Sequence, residues 1–273
     1  MKLTSIIIFV LLMASGLSAY DIEGGRQAGM AGTVLLSKPS AYGLLNCPTN
    51  SLRSKQFIIE SVVSRKYGLA DLDQVSILAA YRSKNITCAF GFSQMGPPDY
   101  YTEKNIRAVL SYHQNSITAI LITSGRLIEI GGKFGKLRAA SAGLGISYHK
   151  DNFYFGITVD DLNRPEIARN VDGENMKVNL FAEIDGSKRH SITGRLVLEK
   201  YEKPHLSLGQ FINLSDKNGL FWGLSFDPLK YGGGFEIEYR KFSIVYGVSH
   251  HPVLGFSHYI SLTFLTGRRD KAN

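Results

Sequence analysis

The sequence predicts an all-β fold, an antiparallel up-and-down transmembrane β-barrel of about 12–14 strands with an N-terminal plug segment. Strand-length stretches recur between short polar turn signals from residue 55 to residue 265. Along nearly every stretch bulky apolar residues hold one parity and smaller or polar residues the other. Beyond the N-terminus, no window offers the ~18 uncharged apolar residues that a membrane-spanning helix needs. A strand sends alternate side chains to opposite faces. On a soluble sheet the wet face usually carries Lys, Glu or Arg, whereas a membrane barrel turns large apolar residues to lipid and small polar ones to the lumen.

The N-terminus carries Lys2, the apolar run Ile6-Ile-Ile-Phe-Val-Leu-Leu-Met13 and then Ala14-Ser-Gly-Leu-Ser-Ala19. A charged start, a short apolar core and small residues describe a secretory signal peptide, expected over residues 1–19 with cleavage after Ser18 or Ala19. A retained anchor would need roughly 20 apolar residues. Residues 20–54 differ in character: they are rich in Gly, Ala and Ser and show no sustained alternation. Gly24, Gly25, Gly29, Ala31 and Gly32 permit close backbone approach, which suits a segment folded into the lumen. Buried backbone needs internal partners, and Arg26 is expected to pair with a lumenal carboxylate, Glu236 or Glu238.

The barrel is expected over residues 55–265. Its outward parity begins Phe57-Ile59-Ser61-Val63, Val75-Ile77-Ala79-Tyr81, Ile86-Cys88-Phe90-Phe92, Ile106-Ala108-Leu110-Tyr112 and Ile117-Ala119-Leu121. The middle strands are Ala140-Ala142-Leu144-Ile146-Tyr148, Phe153-Phe155-Ile157-Val159, Val178-Leu180-Ala182-Ile184 and Ile192-Gly194-Leu196-Leu198. Leu206-Leu208-Gln210-Ile212, Leu220-Trp222-Leu224-Phe226, Phe235-Ile237-Tyr239 and Phe242-Ile244-Tyr246-Val248 follow. The final strand sets Phe256, His258, Ile260, Leu262 and Phe264 against Gly255, Ser257, Tyr259, Ser261 and Thr263. Its aromatic-ended parity resembles the terminal strand of bacterial outer-membrane proteins. That makes Phe256, Ile260, Leu262 and Phe264 the expected signal for the barrel-assembly machinery. Ser83-Lys-Asn85, Lys150-Asp-Asn152, Asp185-Gly186 and Asp216-Lys-Asn-Gly219 read as tight turns. Tyr near strand ends suits the aromatic girdles of a membrane barrel, and Glu236, Glu238 and Arg240 are expected to face the lumen or sit above the membrane. Residues 266–273 read as a basic, solvated tail.

Mean hydropathy of −0.04 with 20% charged residues is too polar for a helical membrane protein but suits a barrel with wet lumen and loops. The net charge of +8 is scattered near proposed turns, which fits anionic lipid headgroups and not nucleic acid. Export permits a disulfide between Cys47 and Cys88, while the outward parity of Cys88 suits a free thiol equally well.

No strong catalytic motif is present, and no enzyme activity, cofactor or metal is expected. A Ser nucleophile needs a base within hydrogen-bond reach. His258 and Ser261 are three residues apart and face opposite sides of one strand, and His190-Ser191 falls in a basic turn. His250-His251-Pro252 reads as a rim turn without a second ligand cluster. Gly232-Gly-Gly234 lacks the strand-to-helix context of a phosphate cradle; it reads as a tight turn or a place where the plug nears the wall.

Gly25-Arg-Gln-Ala-Gly-Met-Ala-Gly-Thr33 resembles the R-x-x-G-M-G-G-A opening of fatty-acid-transporter-like outer-membrane barrels, a superfamily that includes the PorV/PorQ proteins of type IX secretion. Asn46-Cys-Pro-Thr-Asn-Ser-Leu52 partly matches their N-P-A-x-L element, with Cys47 inserted and Thr49 in place of Ala. Phe155-Gly-Ile-Thr-Val-Asp-Asp-Leu-Asn-Arg-Pro165 is similar to their G-x-x-x-x-N-L-x-x-P strand end, and the last strand to their L-G-x-S-H-x-I-S-L-x-F ending. The resemblance implies a barrel of the bacterial outer membrane acting in envelope transport, or as a subunit or docking platform of a type IX-like secretion system. The expected partners are outer-membrane lipid, the assembly machinery and secretion subunits. The alternative is a transporter of small hydrophobic ligands gated by the plug, although the short loops count against ligand capture. A lipid-modifying barrel enzyme is a more distant third.

Overall fold

The computed structural model describes residues 22–49, 51–52, 55–97, 100–131, 135–165, 175–187 and 189–266. The expected signal peptide and nearly all of the basic tail lie outside these residues. The chain forms fourteen strands: β1 (Phe57–Arg65), β2 (Asp73–Ser83), β3 (Ile86–Met95), β4 (Tyr101–Gln114), β5 (Ile117–Ile130), β6 (Gly135–Lys150) and β7 (Phe153–Asp160), then β8 (Lys177–Ser187), β9 (His190–Glu199), β10 (His205–Asn213), β11 (Asn218–Phe226), β12 (Lys230–Tyr239), β13 (Phe242–His251) and β14 (Gly255–Leu265). Each pairs antiparallel with its sequence neighbours, and β1 closes the ring on β14 from Ile58↔Leu265 to Arg65↔His258. Closure leaves no sheet edge to template aggregation.

Period-2 alternation fixes which face is which. Ile59, Val63, Ile77, Phe90, Leu110, Leu121, Ile146, Ile184, Trp222, Ile244 and Ile260 point outward and are exposed, while the intervening Glu60, Ser64, Ser76, Ser111, Thr193, Ser207 and Ser261 are buried inside. No described helix is long and apolar enough to cross a membrane.

The two ends differ. At the end where β1 begins and β14 finishes, even-to-odd connections such as Lys84–Asn85 between β2 and β3 are tight turns; we call it the turn end. The opposite loop end carries the longer connections, including two short 3-10 turns between β1 and β2. The turn after β8 falls later than Asp185-Gly186 suggests. Both residues remain in β8, a register shift lies between Asp185 and Ser187, and the Asp185 N–H donates to Asn152 O at 2.8 Å. His250 and His251 complete β13 instead of forming the turn. Unequal strand lengths leave β6 paired with β7 only from Leu144 to Lys150. Above that point the Asn163 side chain stands in for a strand, donating to Ala140 O at 2.9 Å and accepting from Ala142 N–H at 3.0 Å.

Among the described residues two short helices precede β1. The first, α1 (Gly25–Gly29), packs against β11 to β14, and α2 (Ala41–Asn46) packs against β1 to β4. The Ser40 side chain caps α2 by accepting the Gly43 N–H at 3.3 Å.

Candidate functional site

The interior of the ring holds the chemistry. The wall turns small residues toward α1 where backbone must meet backbone. A side chain at Gly223 would strike the Met30 backbone, one at Gly247 the Gly25 carbonyl, and one at Gly232 the carbonyls of Ala28 and Gly29. Gly232, Gly233 and Gly234 therefore lie within β12, with Gly232 backing onto α1, and none is a turn residue. Phe221 fills the space beside Gly29, and Ser261 Oγ accepts the Gly25 N–H at 2.8 Å.

The segment of residues 22–49 runs the length of the interior. Near the loop end Glu23 accepts from Tyr259 OH at 2.7 Å and lies 3.4 Å from Lys66 Nζ. Arg26 Nη2 then pairs with Glu236 Oε1 at 2.6 Å, and Ser243 donates to the same oxygen at 2.7 Å. Both residues are buried, so the pair sits where Coulomb attraction is weakly screened and desolvation is costly. The second expected carboxylate, Glu238, lies one inward step nearer the turn end and is half-buried. Glu183 on β8 accepts the N–H groups of Leu36 and Ser37 and the Ser37 hydroxyl. Toward the turn end Lys38 Nζ donates to Asn213 Oδ1 at 2.8 Å and lies 3.7 Å from the centroid of the Phe211 ring. Nearer the loop end a second polar chain crosses the interior. Arg107 pairs with Asp160 at 2.9 Å, Asn179 donates to Asp160 at 3.0 Å, and Arg195 donates to Asn179 at 2.8 Å.

Between these polar groups the interior is apolar. Ile58, Val62, Leu78, Val109, Ile120, Ile122 and Phe181 project inward from the wall and meet Val34, Leu36, Leu44, Leu45 and Cys47 of the segment. Met30 and Leu35 form a smaller cluster with Phe211, Phe221 and Val245. The lumen is therefore wet only in part, because the inner segment supplies apolar partners that water would not. Ile58-Ile59, Val109-Leu110 and Ile120-Leu121-Ile122, apolar on both parities, carried that signal in the sequence.

A chamber of about 670 Å³ opens at the turn end. Its floor is Arg26 and residues 37–40, and its walls include Glu60, Asp185, Arg189, Glu236, Glu238 and Lys241.

The remaining sequence candidates separate. Phe256, Ile260 and Leu262 are exposed on the outer face of β14, and the Phe264 ring lies 5.2 Å from that of Phe242, tilted by 48°. His258 accepts or donates outside through Tyr246 OH at 2.8 Å, whereas Ser261 faces inward, so the two never meet. Ser191 is bonded to Asp185 at 3.1 Å and not to His190. Cys47 is buried and Cys88 exposed, and both are free thiols, which removes the disulfide. Among the described residues no group of three or more His, Cys, Asp or Glu is placed to hold a metal ion.

No protein-family model matches the sequence, and no curated protein does. Solved structures match the fold. The toluene transporter TbuX of Ralstonia pickettii aligns with a TM-score of 0.63 at 8% identity, covering 89% of this chain and 97% of that one. The P. putida toluene transporter TodX gives 0.56 at 9% identity over 89% and 96%. The Acinetobacter baumannii outer membrane protein Omp33 gives 0.51 at 10% identity over 77% and 97%. At these identities the likeness is one of fold: a closed fourteen-strand barrel of the outer-membrane kind.

Proposed function

We propose that the chain is an outer-membrane channel for small hydrophobic molecules, with residues 22–49 as a plug that closes it at rest. The observation that carries this reading is the apolar cluster shared by wall and segment inside the ring. A channel for ions and sugars keeps a polar lumen; a route for apolar solutes needs apolar surface along it, and displacing the segment would expose that surface. Similarity of fold to two toluene transporters supports the same choice. The role as a secretion-system docking platform rests on the motif resemblance alone, and nothing in the interior favours it. The Ser and His pairs offered by the sequence do not support lipid hydrolysis, since Ser261 faces away from His258 and Ser191 bonds Asp185.

The test is uptake of radiolabelled toluene by cells that make the protein, beside planar-bilayer conductance of the purified barrel. Full-length protein is expected to speed toluene entry while conducting ions poorly, and deletion of residues 22–34 to raise conductance. Toluene entry equal to that of cells without the protein, at normal barrel assembly, would refute the transport reading. Unchanged conductance after the deletion would refute the plug.

A further inference from the structure

We infer that the turn-end chamber is a binding site for a guanidinium- or ammonium-bearing small molecule, and that such a ligand competes with Arg26 for the wall. Register alone assembles the site. Glu60 on β1 faces Thr263 on β14, Thr263 faces Ser243 on β13, and Ser243 faces Glu238 on β12. Because these are inward positions on adjacent strands, the wall presents a straight row of carboxylate, hydroxyl, hydroxyl and carboxylate. Glu236 stands one inward step deeper on β12, bonded to Ser243.

A row of acids is not by itself a site, but two further observations point to a cation. The chain supplies the first, because the Arg26 guanidinium already occupies this wall at 2.6 Å from Glu236. The second is Glu236 itself: it lines the chamber, is 2% exposed, and its Oε2 has no hydrogen-bond partner among the described residues. A buried carboxylate oxygen left unpaired is costly, and a second N–H donor would satisfy it. The lining sets five carboxylates, Glu60, Asp185, Asp216, Glu236 and Glu238, against four cations, Arg26, Lys38, Arg189 and Lys241. Lys38 is turned onto the Phe211 ring and Asn213, toward β10, while Arg189 and Lys241 belong to the turn-end rim.

The site stands without the transport reading, since it requires only the folded barrel. Its test is calorimetric titration of agmatine, a guanidinium amine without a carboxylate, into the full barrel in neutral detergent. Saturable binding is expected, weakened at least tenfold by Glu236→Gln and by added salt. Arg26→Ala removes the internal competitor and is expected to tighten binding at least tenfold; Arg26→Lys, which keeps the charge, serves as the folding-safe control and should bind like the parent. Assembly of each variant is checked by its different migration on gels with and without boiling. Absence of saturable binding in both the parent and the Arg26→Ala barrel would overturn the inference, as would binding that ignores Glu236→Gln.

Discussion

Replacing Glu183 with Ala should release residues 36–37 from the wall while leaving the barrel intact. The Glu183 carboxylate accepts three donors from the segment: the Leu36 and Ser37 amides and the Ser37 hydroxyl. Leu36 is buried, so its N–H finds no water when the acceptor goes. Hydrogen bonds to a charged group contribute roughly 1.5–3 kcal/mol each, and an orphaned buried donor costs about 1–3 kcal/mol. Three bonds sharing one carboxylate are not additive, which places the local loss at about 3–6 kcal/mol. Even the lower bound corresponds to more than about a hundredfold in the opening equilibrium. Hydrogen exchange of the purified barrel reads this directly, as faster exchange at Leu36 and Ser37 with β8 and β9 protected as before. Glu183→Gln keeps one carbonyl acceptor for both amides and should lose less than half as much. Exchange at residues 36–37 that is the same in the parent and the Ala variant would refute the argument that this carboxylate holds the segment.

Two other outcomes follow from facing and burial. Leu262→Asp puts a charge on the outer face, where it costs ~2–4 kcal/mol near the membrane midplane, and should sharply reduce heat-modifiable barrel on gels; Ser261→Ala should spare the barrel and free only the Gly25 N–H, so equal losses from both would contradict the facing. Burial pushes the Cys47 thiol from 9.0 up to about 12, so the folded chain holds a proton that the unfolded one gives up between those values. Stability contributed there is complete below the lower value and falls as pH rises through that window. Denaturation of Cys47→Ala should lose this slope, and an unchanged slope would place its origin elsewhere.

The fourteen strands were legible because their outward parity is apolar nearly throughout, from Ile59 and Val63 to Ile260 and Leu262. The Asp185-Gly186 turn misled because Gly and Asp mark a bulge as readily as a turn, and a register shift sits there. Local sequence left Gly232, Gly233 and Gly234 between a turn and a close approach, since what Gly232 accommodates is the backbone of Ala28 and Gly29, some two hundred residues earlier, and what Gly234 accommodates is the Phe221 ring. The inner apolar cluster was hidden for a related reason. A strand apolar on both parities, such as Ile120-Leu121-Ile122, reveals double-sided burial but not the partner that covers its second side.

The bond from the Gly25 N–H to Ser261 joins residues 236 apart in sequence, and this has a consequence for how the molecule forms. Helix α1 rests on β11 to β14, the last strands to be made. While the chain is incomplete, α2 has β1 to β4 to rest on, but α1 has no surface to settle on. Wall and content must therefore mature together, the first residues waiting for the last, and contacts of such long range make the final step slow. Closing the ring between β1 and β14 also encloses α1, because the strand that completes the circle carries the serine that holds it. Sealing and filling are one event.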